Sequence, residues 1–379
     1  MLKVFTVFGT RPEAIKMAPL IYELKSRPSI DCKVCVTAQH REMLDMVMNL
    51  FELKPDFDLN IMTERQTLAG ITTKALTGLE EVFRQEKPDL VLVHGDTSTT
   101  FAGSLAAYYN QIKVGHVEAG LRTYDKYFPF PEEMNRRLTG AIADLHFSPT
   151  KNNRANLINE GINPDSIFVT GNTVIDAFKT TIKRDFSFVG TPLEGIDMDK
   201  RFILMTAHRR ENLGQPLENI CRAVARLVRD FPDIEVIYPV HLNPVVRETA
   251  NSILGNIPRV HLVEPLDVDV LHNAMAKAHL ILTDSGGLQE EAPALGKPVL
   301  VLRGETERPE AAEAGTVKIA GTEEDIVYSL ASQLLTDEEE YHKMSVAVNP
   351  YGDGNASRRI TDAILYHFGI TSVRPSEWL

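Results

Sequence analysis

The sequence predicts an α/β protein of two domains, each built on a parallel sheet. Three observations carry this expectation. Short apolar runs alternate with segments of helical period along nearly the whole chain, the pattern of repeated strand–helix–strand units. Runs such as Asp89-Leu90-Val91-Leu92-Val93-His94 and Ile203-Leu204-Met205 are almost wholly apolar, as strands covered on both faces require. Between Lys183 and Lys200 periodicity lapses and Gly190, Pro192 and Gly195 accumulate, which marks a linker. A length of 379 residues suits two domains.

In the first half, apolar runs predict strands near 3–8, 32–37, 89–94, 112–117, 144–148 and 166–170. Helical periods fall between them near 12–26, 40–50, 67–86, 98–110, 132–143 and 150–160. The second half repeats the alternation, with strands near 202–206, 234–239, 259–263, 279–283, 298–302 and 316–319. Its helices are expected near 216–230, 243–254, 268–277, 288–295, 308–313 and 323–335, and a last helix begins after Asn355 and runs to about Phe368. The expected domains are therefore 1–171 and 201–357, joined by a hinge at 172–200 and followed by a terminal helix and tail at 358–379.

Fifty-two acidic against forty basic residues give a net charge of −12. That opposes a nucleic-acid binder with a broad basic face, and an anionic-membrane binder. No stretch approaches the 18 or so apolar residues of a membrane span. The run Met1-Leu2-Lys3-Val4-Phe5-Thr6-Val7-Phe8-Gly9 is too short for a signal peptide, so a cytoplasmic location is expected. Cys32, Cys35 and Cys221 are too few for a disulfide framework. Cys32 and Cys35 lie three apart in an expected strand, so their thiols diverge and a metal or redox pair is disfavoured.

In parallel sheets ligands bind beyond the carboxyl ends of strands. Unusual polar clusters recur there: Gly9-Thr10-Arg11-Pro12-Glu13-Ala14-Ile15-Lys16, His94-Gly95-Asp96-Thr97 and His116-Val117-Glu118-Ala119-Gly120-Leu121-Arg122-Thr123 in the first half. The second half adds His208-Arg209-Arg210-Glu211-Asn212, Pro239-Val240-His241 and Thr283-Asp284-Ser285-Gly286-Gly287-Leu288-Gln289-Glu290-Glu291. The Asp-Ser-Gly-Gly turn suits a phosphate, because glycines admit close approach and free N–H groups of a starting helix favour an anion. It equally suits an ordinary helix capped by Asp284 or Ser285. Arg11, Lys16, Arg209 and Arg210 could grip a diphosphate, or be solvated cations. Asp96, Glu118 and Glu132 are candidate acid/base carboxylates, and Glu132 could instead simply complement a helix dipole. The Gly-x-Gly-x-x-Gly, Gly-x-x-x-x-Gly-Lys-Ser/Thr and Gly-x-Ser-x-Gly motifs are absent, and the histidines lack metal-ligand spacing.

These motifs, with Pro131-Glu132-Glu133-x-Asn135-Arg136, Gly171-Asn172-Thr173 and Glu307-Arg308-Pro309-Glu310, resemble the non-hydrolysing bacterial and archaeal UDP-N-acetylglucosamine 2-epimerases. The resemblance covers essentially the whole chain in order. It implies two Rossmann-like domains with a cleft between them, the GT-B fold, with the terminal helix returning to the first domain. It implies reversible conversion of UDP-GlcNAc to UDP-ManNAc without metal or other cofactor, by anti elimination of UDP, a 2-acetamidoglucal intermediate and re-addition of UDP. Asp96, Glu118, Glu132 and His208 would be catalytic. Arg11, Lys16, Ser285, Gly286, Gly287 and Arg308 would bind substrate, Glu291 the ribose, and Leu266 and Leu271 would flank the uracil. Gln39, Arg65, Arg209 and His241 match a second UDP-GlcNAc site in some relatives, and Glu42 stands at the position of that site where those relatives carry Gln. A homodimer feeding cell-surface polysaccharide synthesis is implied as well. A hydrolysing 2-epimerase releasing ManNAc and UDP, and a glycosyltransferase on the same fold, remain the alternatives.

Overall fold

The computed structural model describes residues 1–63 and 66–378. The chain forms two compact units: Met1–Lys179 with Tyr351–Leu379, and Thr180–Pro350. The first carries strands β1 (Leu2–Phe8), β2 (Ile30–Val36), β3 (Phe57–Asp58), β4 (Leu90–His94), β5 (Lys113–Val117), β6 (Leu145–Ser148) and β7 (Ile167–Val169). They are parallel throughout, in the order β3-β2-β1-β4-β5-β6-β7. The intervening helices are α1 (Arg11–Lys25), α2 (Arg41–Leu50), α3 (Leu68–Glu86), α4 (Ser98–Tyr109), α5 (Glu132–Ile142), α6 (Lys151–Asn159) and α7 (Thr173–Thr181).

Strand side chains alternate between faces, so one sheet feeds two apolar layers. Val4, Phe8, Cys32, Val34 and Leu92 pack with α1 residues Met17, Leu20 and Ile21 on one side. Phe5, Val7, Cys35, Val91 and Val93 pack with Leu79 and Phe83 of α3 on the other. Cys32 and Cys35 thus belong to opposite faces, and burial pushes both thiols up to about 12. Thr67, Thr97 and Thr150 cap α3, α4 and α6, each hydroxyl accepting a backbone N–H of the first turn.

The second unit holds β8 (Phe202–Thr206), β9 (Glu235–Pro239), β10 (Val260–Val263), β11 (Leu280–Thr283), β12 (Val299–Val301) and β13 (Val317–Ile319). These are again parallel, in the order β10-β9-β8-β11-β12-β13. Its helices are α8 (Gln215–Asp230), α9 (Pro244–Leu254), α10 (Val268–Lys277), α11 (Gly286–Glu291), α12 (Pro309–Glu313), α13 (Glu324–Thr336) and α14 (Glu338–Ser345). The helix expected over 288–295 instead starts at Gly286 and tightens into a 3₁₀ turn at Ala292–Leu295. Pro293, which lacks an N–H, stands at that change.

The last helix, α15 (Ala356–His367), belongs to the first unit. Its Ile360, Ala363, Ile364 and Leu365 join the layer containing α1. Its start is held by buried Asp176 of α7, whose carboxylate accepts the N–H groups of Ala356 (3.1 Å) and Ser357 (2.8 Å). Among the described residues no helix is long and apolar enough to cross a membrane.

Candidate active site

In both sheets the strand order reverses at one point, between β1 and β4 and between β8 and β11. Ligands of such sheets bind outside the strand carboxyl ends at that reversal. In the first unit, Gly9 to Lys16 follow β1 and Gly95-Asp96-Thr97 follow β4, so two of the sequence motifs flank the switch point. Glu118 follows β5, in the left-handed conformation (φ 62°). Its Oε1 is ion-paired with Lys16 and accepts from Asn172 Nδ2 at 3.0 Å, while Oε2 lies 3.9 Å from His94 Nε2. A Cβ on Gly95 (φ 67°) would sit 3.3 Å from Glu118 Oε2, so this carboxylate lies over the backbone immediately before Asp96. Burial drives His94 down to about 4 despite Glu118, so its imidazole is neutral near pH 7.

Asp96 is ion-paired with Arg136 of α5, and its carbonyl accepts from Asn135 Nδ2 at 2.9 Å. Glu132 is the first residue of the same helix and is half-buried. Its neighbour Glu133 is fully buried and accepts the N–H groups of Thr123 (3.0 Å) and Tyr124 (3.1 Å), pinning the loop before α5. The three carboxylates expected to be catalytic thus follow β4, follow β5 and open α5, and two have a cation beside them. Arg11 opens α1, where it is half-buried.

Sequence reasoning missed Glu13. This residue is 2% exposed. Its Oε2 accepts the N–H groups of Gly9 (3.0 Å) and Thr10 (2.8 Å), and its Oε1 the hydroxyls of Thr97 (2.7 Å) and Thr100 (3.2 Å). One carboxylate therefore ties the loop bearing Arg11 to the loop bearing Asp96. Burial raises its pKa, and the hydrogen bonds work against that rise. The Glu three residues after Thr10 was a visible capping-box signal; the threonine partners lie more than eighty residues away.

In the second unit, Ser285 precedes α11 but makes no capping bond through its side chain. Asp284 does not cap the helix either. It is fully buried, and its Oδ2 accepts from the N–H groups of His208 and Arg209 (both 2.7 Å) and from Asn212 Nδ2 (3.1 Å), shaping the loop after β8. The guanidinium of Arg308 lies over Gly286, where a Cβ would come within 2.8 Å of Cζ and Nη1. Only glycine leaves that space. Arg308 is held by Glu290 (2.6 Å) and Glu307 (3.0 Å). Glu307 also meets Arg209 (3.4 Å) and Arg303 (2.5 Å). Burial raises the Glu307 carboxyl, but Arg308, Arg303 and Arg209 outweigh it and hold the group below its ordinary value. Glu291 faces His272 at 3.3 Å, and His272 Nδ1 is 2.7 Å from the Thr181 hydroxyl.

A profile of the family described as UDP-N-acetylglucosamine 2-epimerase matches residues 22–365. The chain belongs to the UDP-N-acetylglucosamine 2-epimerase family. The enzyme of that name from Bacillus subtilis (strain 168) is 64% identical over 377 residues, spanning 100% of this chain and 98% of that protein. The crystal structure of the UDP-GlcNAc 2-epimerase from Neisseria meningitidis bound to UDP-GlcNAc has a TM-score of 0.86 at 51% identity, covering 96% of this chain and 100% of that one. The Methanocaldococcus jannaschii UDP-GlcNAc 2-epimerase in complex with UDP-GlcNAc and UDP has a TM-score of 0.78 at 33% identity, with the same coverage. The two parallel-sheet α/β domains are the GT-B-like architecture of these 2-epimerases.

The remaining residues suggested by the likeness to 2-epimerases are more scattered. Leu266 is buried (5% exposed) and Leu271 partly so, as packing residues are. Gln39 Oε1 accepts from the Thr99 hydroxyl at 3.2 Å, close in sequence to Asp96. Glu42 is exposed on α2. Arg65 lies outside the described residues. Arg209 is paired with Glu307, His241 stacks on His208, and Arg210 is exposed in the 3₁₀ turn after β8. Among the described residues, no group of three His, Cys, Asp or Glu side chains could hold a metal ion.

Proposed function

We propose that this 2-epimerase is of the non-hydrolysing kind, interconverting UDP-GlcNAc and UDP-ManNAc through elimination and re-addition of UDP. The observation that carries the reading is the grouping of Glu118, Lys16 and His94 beside the loop of Asp96. C2–H of the sugar is not acidic in the substrate, being remote from any carbonyl within the ring. It becomes removable as the C1–O bond breaks and positive charge grows at C1. One carboxylate among Asp96, Glu118 and Glu132 takes the C2 proton, UDP departs, and 2-acetamidoglucal remains. A proton is then returned to the opposite face of C2 as UDP re-adds at C1. Charge growing on the leaving diphosphate is met by Arg11, Lys16, His208, Arg308 and the N–H groups of Ser285, Gly286 and Gly287. In this reading a cytoplasmic homodimer supplies ManNAc units for surface polysaccharide.

Incubation with UDP-GlcNAc in deuterated water, followed by NMR, tests the proposal. We expect UDP-ManNAc carrying deuterium at C2, with UDP-GlcNAc dominating the final mixture. Free ManNAc plus UDP would instead assign the hydrolysing reaction, and no exchange at C2 would reject the proton transfer.

A further inference from the structure

We propose that Asp284 is a positioning residue for His208. It holds the imidazole in its Nδ1–H tautomer, so that Nε2 is left to take a proton when a diphosphate oxygen arrives. The proposal rests on the reading that His208 meets the leaving diphosphate.

The argument starts from an imbalance within one carboxylate. Asp284 is completely buried. Its Oδ2 receives three hydrogen bonds, two from the backbone of His208 and Arg209 and one from Asn212. Its Oδ1 is buried too, yet has no hydrogen-bond partner among the described residues. A desolvated, unpaired carboxylate oxygen is costly and calls for an explanation. Oδ1 faces His208 Nδ1 at 3.7 Å, just beyond hydrogen-bond reach. The ring of His208 is kept in plane by stacking on His241, with centroids 5.1 Å apart and 11° between planes. With the loop backbone and the ring plane both fixed, a small rotation brings Nδ1–H onto Oδ1. A hydrogen bond on one ring nitrogen sets the state of the other, so Nε2 then carries the lone pair.

The groups facing His208 set its charge. Burial lowers its pKa most, Asp284 raises it, and His241 and Arg209 lower it further. These directions favour the neutral ring in the free protein. An incoming diphosphate adds negative charge on the Nε2 side while Asp284 supplies it on the Nδ1 side. One proton is taken from solvent, and the imidazolium donates to the phosphate oxygen.

The test uses full-length protein labelled with ¹⁵N-histidine, the His208 signals being assigned by their loss in His208→Gln. Wild type should give the Nδ1–H tautomer, and UDP should raise the His208 pKa by about 1–3 units. In Asp284→Asn, the side-chain oxygen must take the place of Oδ2 to serve the same three donors. The amide nitrogen then points at His208 Nδ1 and should force the Nε2–H tautomer. UDP should no longer raise the pKa, and turnover of UDP-GlcNAc should fall about 10²–10⁴-fold. An Nε2–H tautomer in wild type would overturn the proposal, as would unchanged turnover in a folded Asp284→Asn. Should that variant not fold, the wild-type spectrum alone decides. Absence of epimerisation by wild type would sink the functional reading while leaving the tautomer result to stand by itself.

Discussion

At the scale of single residues, Glu13 fixes more than its own helix. Four donors converge on its carboxylate, two from the turn after β1 and two from the cap and first turn of α4. Removing it strands buried N–H groups and frees two loops that carry Arg11 and Asp96. Glu13→Ala should lose about 3 kcal/mol of stability. It should also slow turnover on the order of 100-fold, the effect of misplacing a reacting group by about 1 Å. Glu13→Gln should recover most of both, since its oxygen can serve the N–H pair while its amide faces hydroxyls able to accept. Melting temperature and kcat, measured on both variants, decide: similar losses in the two would refute the positioning role. Motif reading singles out Asp96, Glu118 and Arg11 as candidates because they closely follow apolar strands, and Lys16 because it lies on the helix after β1. It could not find Glu13 or the task of Asp284, because their partners are brought near only by the fold.

Among the elements, α11 shows how much a helix of six residues can position. Its first turn is open because Gly286 has no side chain, and Arg308 fills that opening, held there by Glu290 and Glu307. Gly286→Ala should leave the fold intact but displace the guanidinium, weakening UDP binding about tenfold, or roughly 1.4 kcal/mol. Titration calorimetry with UDP would give the change, and unaltered affinity would exclude Arg308 from the nucleotide site. Most elements were legible because buried parallel strands are apolar throughout and their helices keep one apolar face. Those that escaped lack such a signal. In α14 only Met344 is buried, and the helix rests on Asp337 accepting from Glu339 and Glu340 at its start. The helix α7 follows the Gly171-Asn172 turn and runs into an aperiodic stretch, so its short period merges with the expected hinge. The strand β3 has two residues, too few for any pattern.

For the molecule as a whole, charge and burial pull in different directions. A net charge of −12 sits with an arginine group at the ends of the second sheet, where Arg209, Arg303 and Arg308 share Glu307. Bulk charge therefore disfavours polyanion partners without opposing a small diphosphate. Burial acts on the histidines His94, His116 and His146, at β4, β5 and β6, lowering them to about 4, 3 and 4. Unfolded, each titrates near 6.5. The unfolded chain thus binds more protons below pH 6.5, so this stabilisation is complete above that pH and is lost toward pH 3–4. Each histidine should cost about 1 kcal/mol per pH unit within the window. The melting temperature should therefore drop between pH 7 and 5, and a flat profile would contradict the buried neutral rings.

The return of α15 to the first unit has a consequence for how the protein is made. A ribosome delivers β1 and α1 long before α15, yet Ile360, Ala363, Ile364 and Leu365 belong to the wall against which α1 packs. Trp378 donates its N–H to Val169 at the sheet's edge (2.8 Å). The second unit, Thr180–Pro350, has all its residues before that wall exists. The domain begun first is the one finished last. A nascent chain stopped short of Ala356 would carry every proposed catalytic carboxylate on a sheet with one apolar layer incomplete.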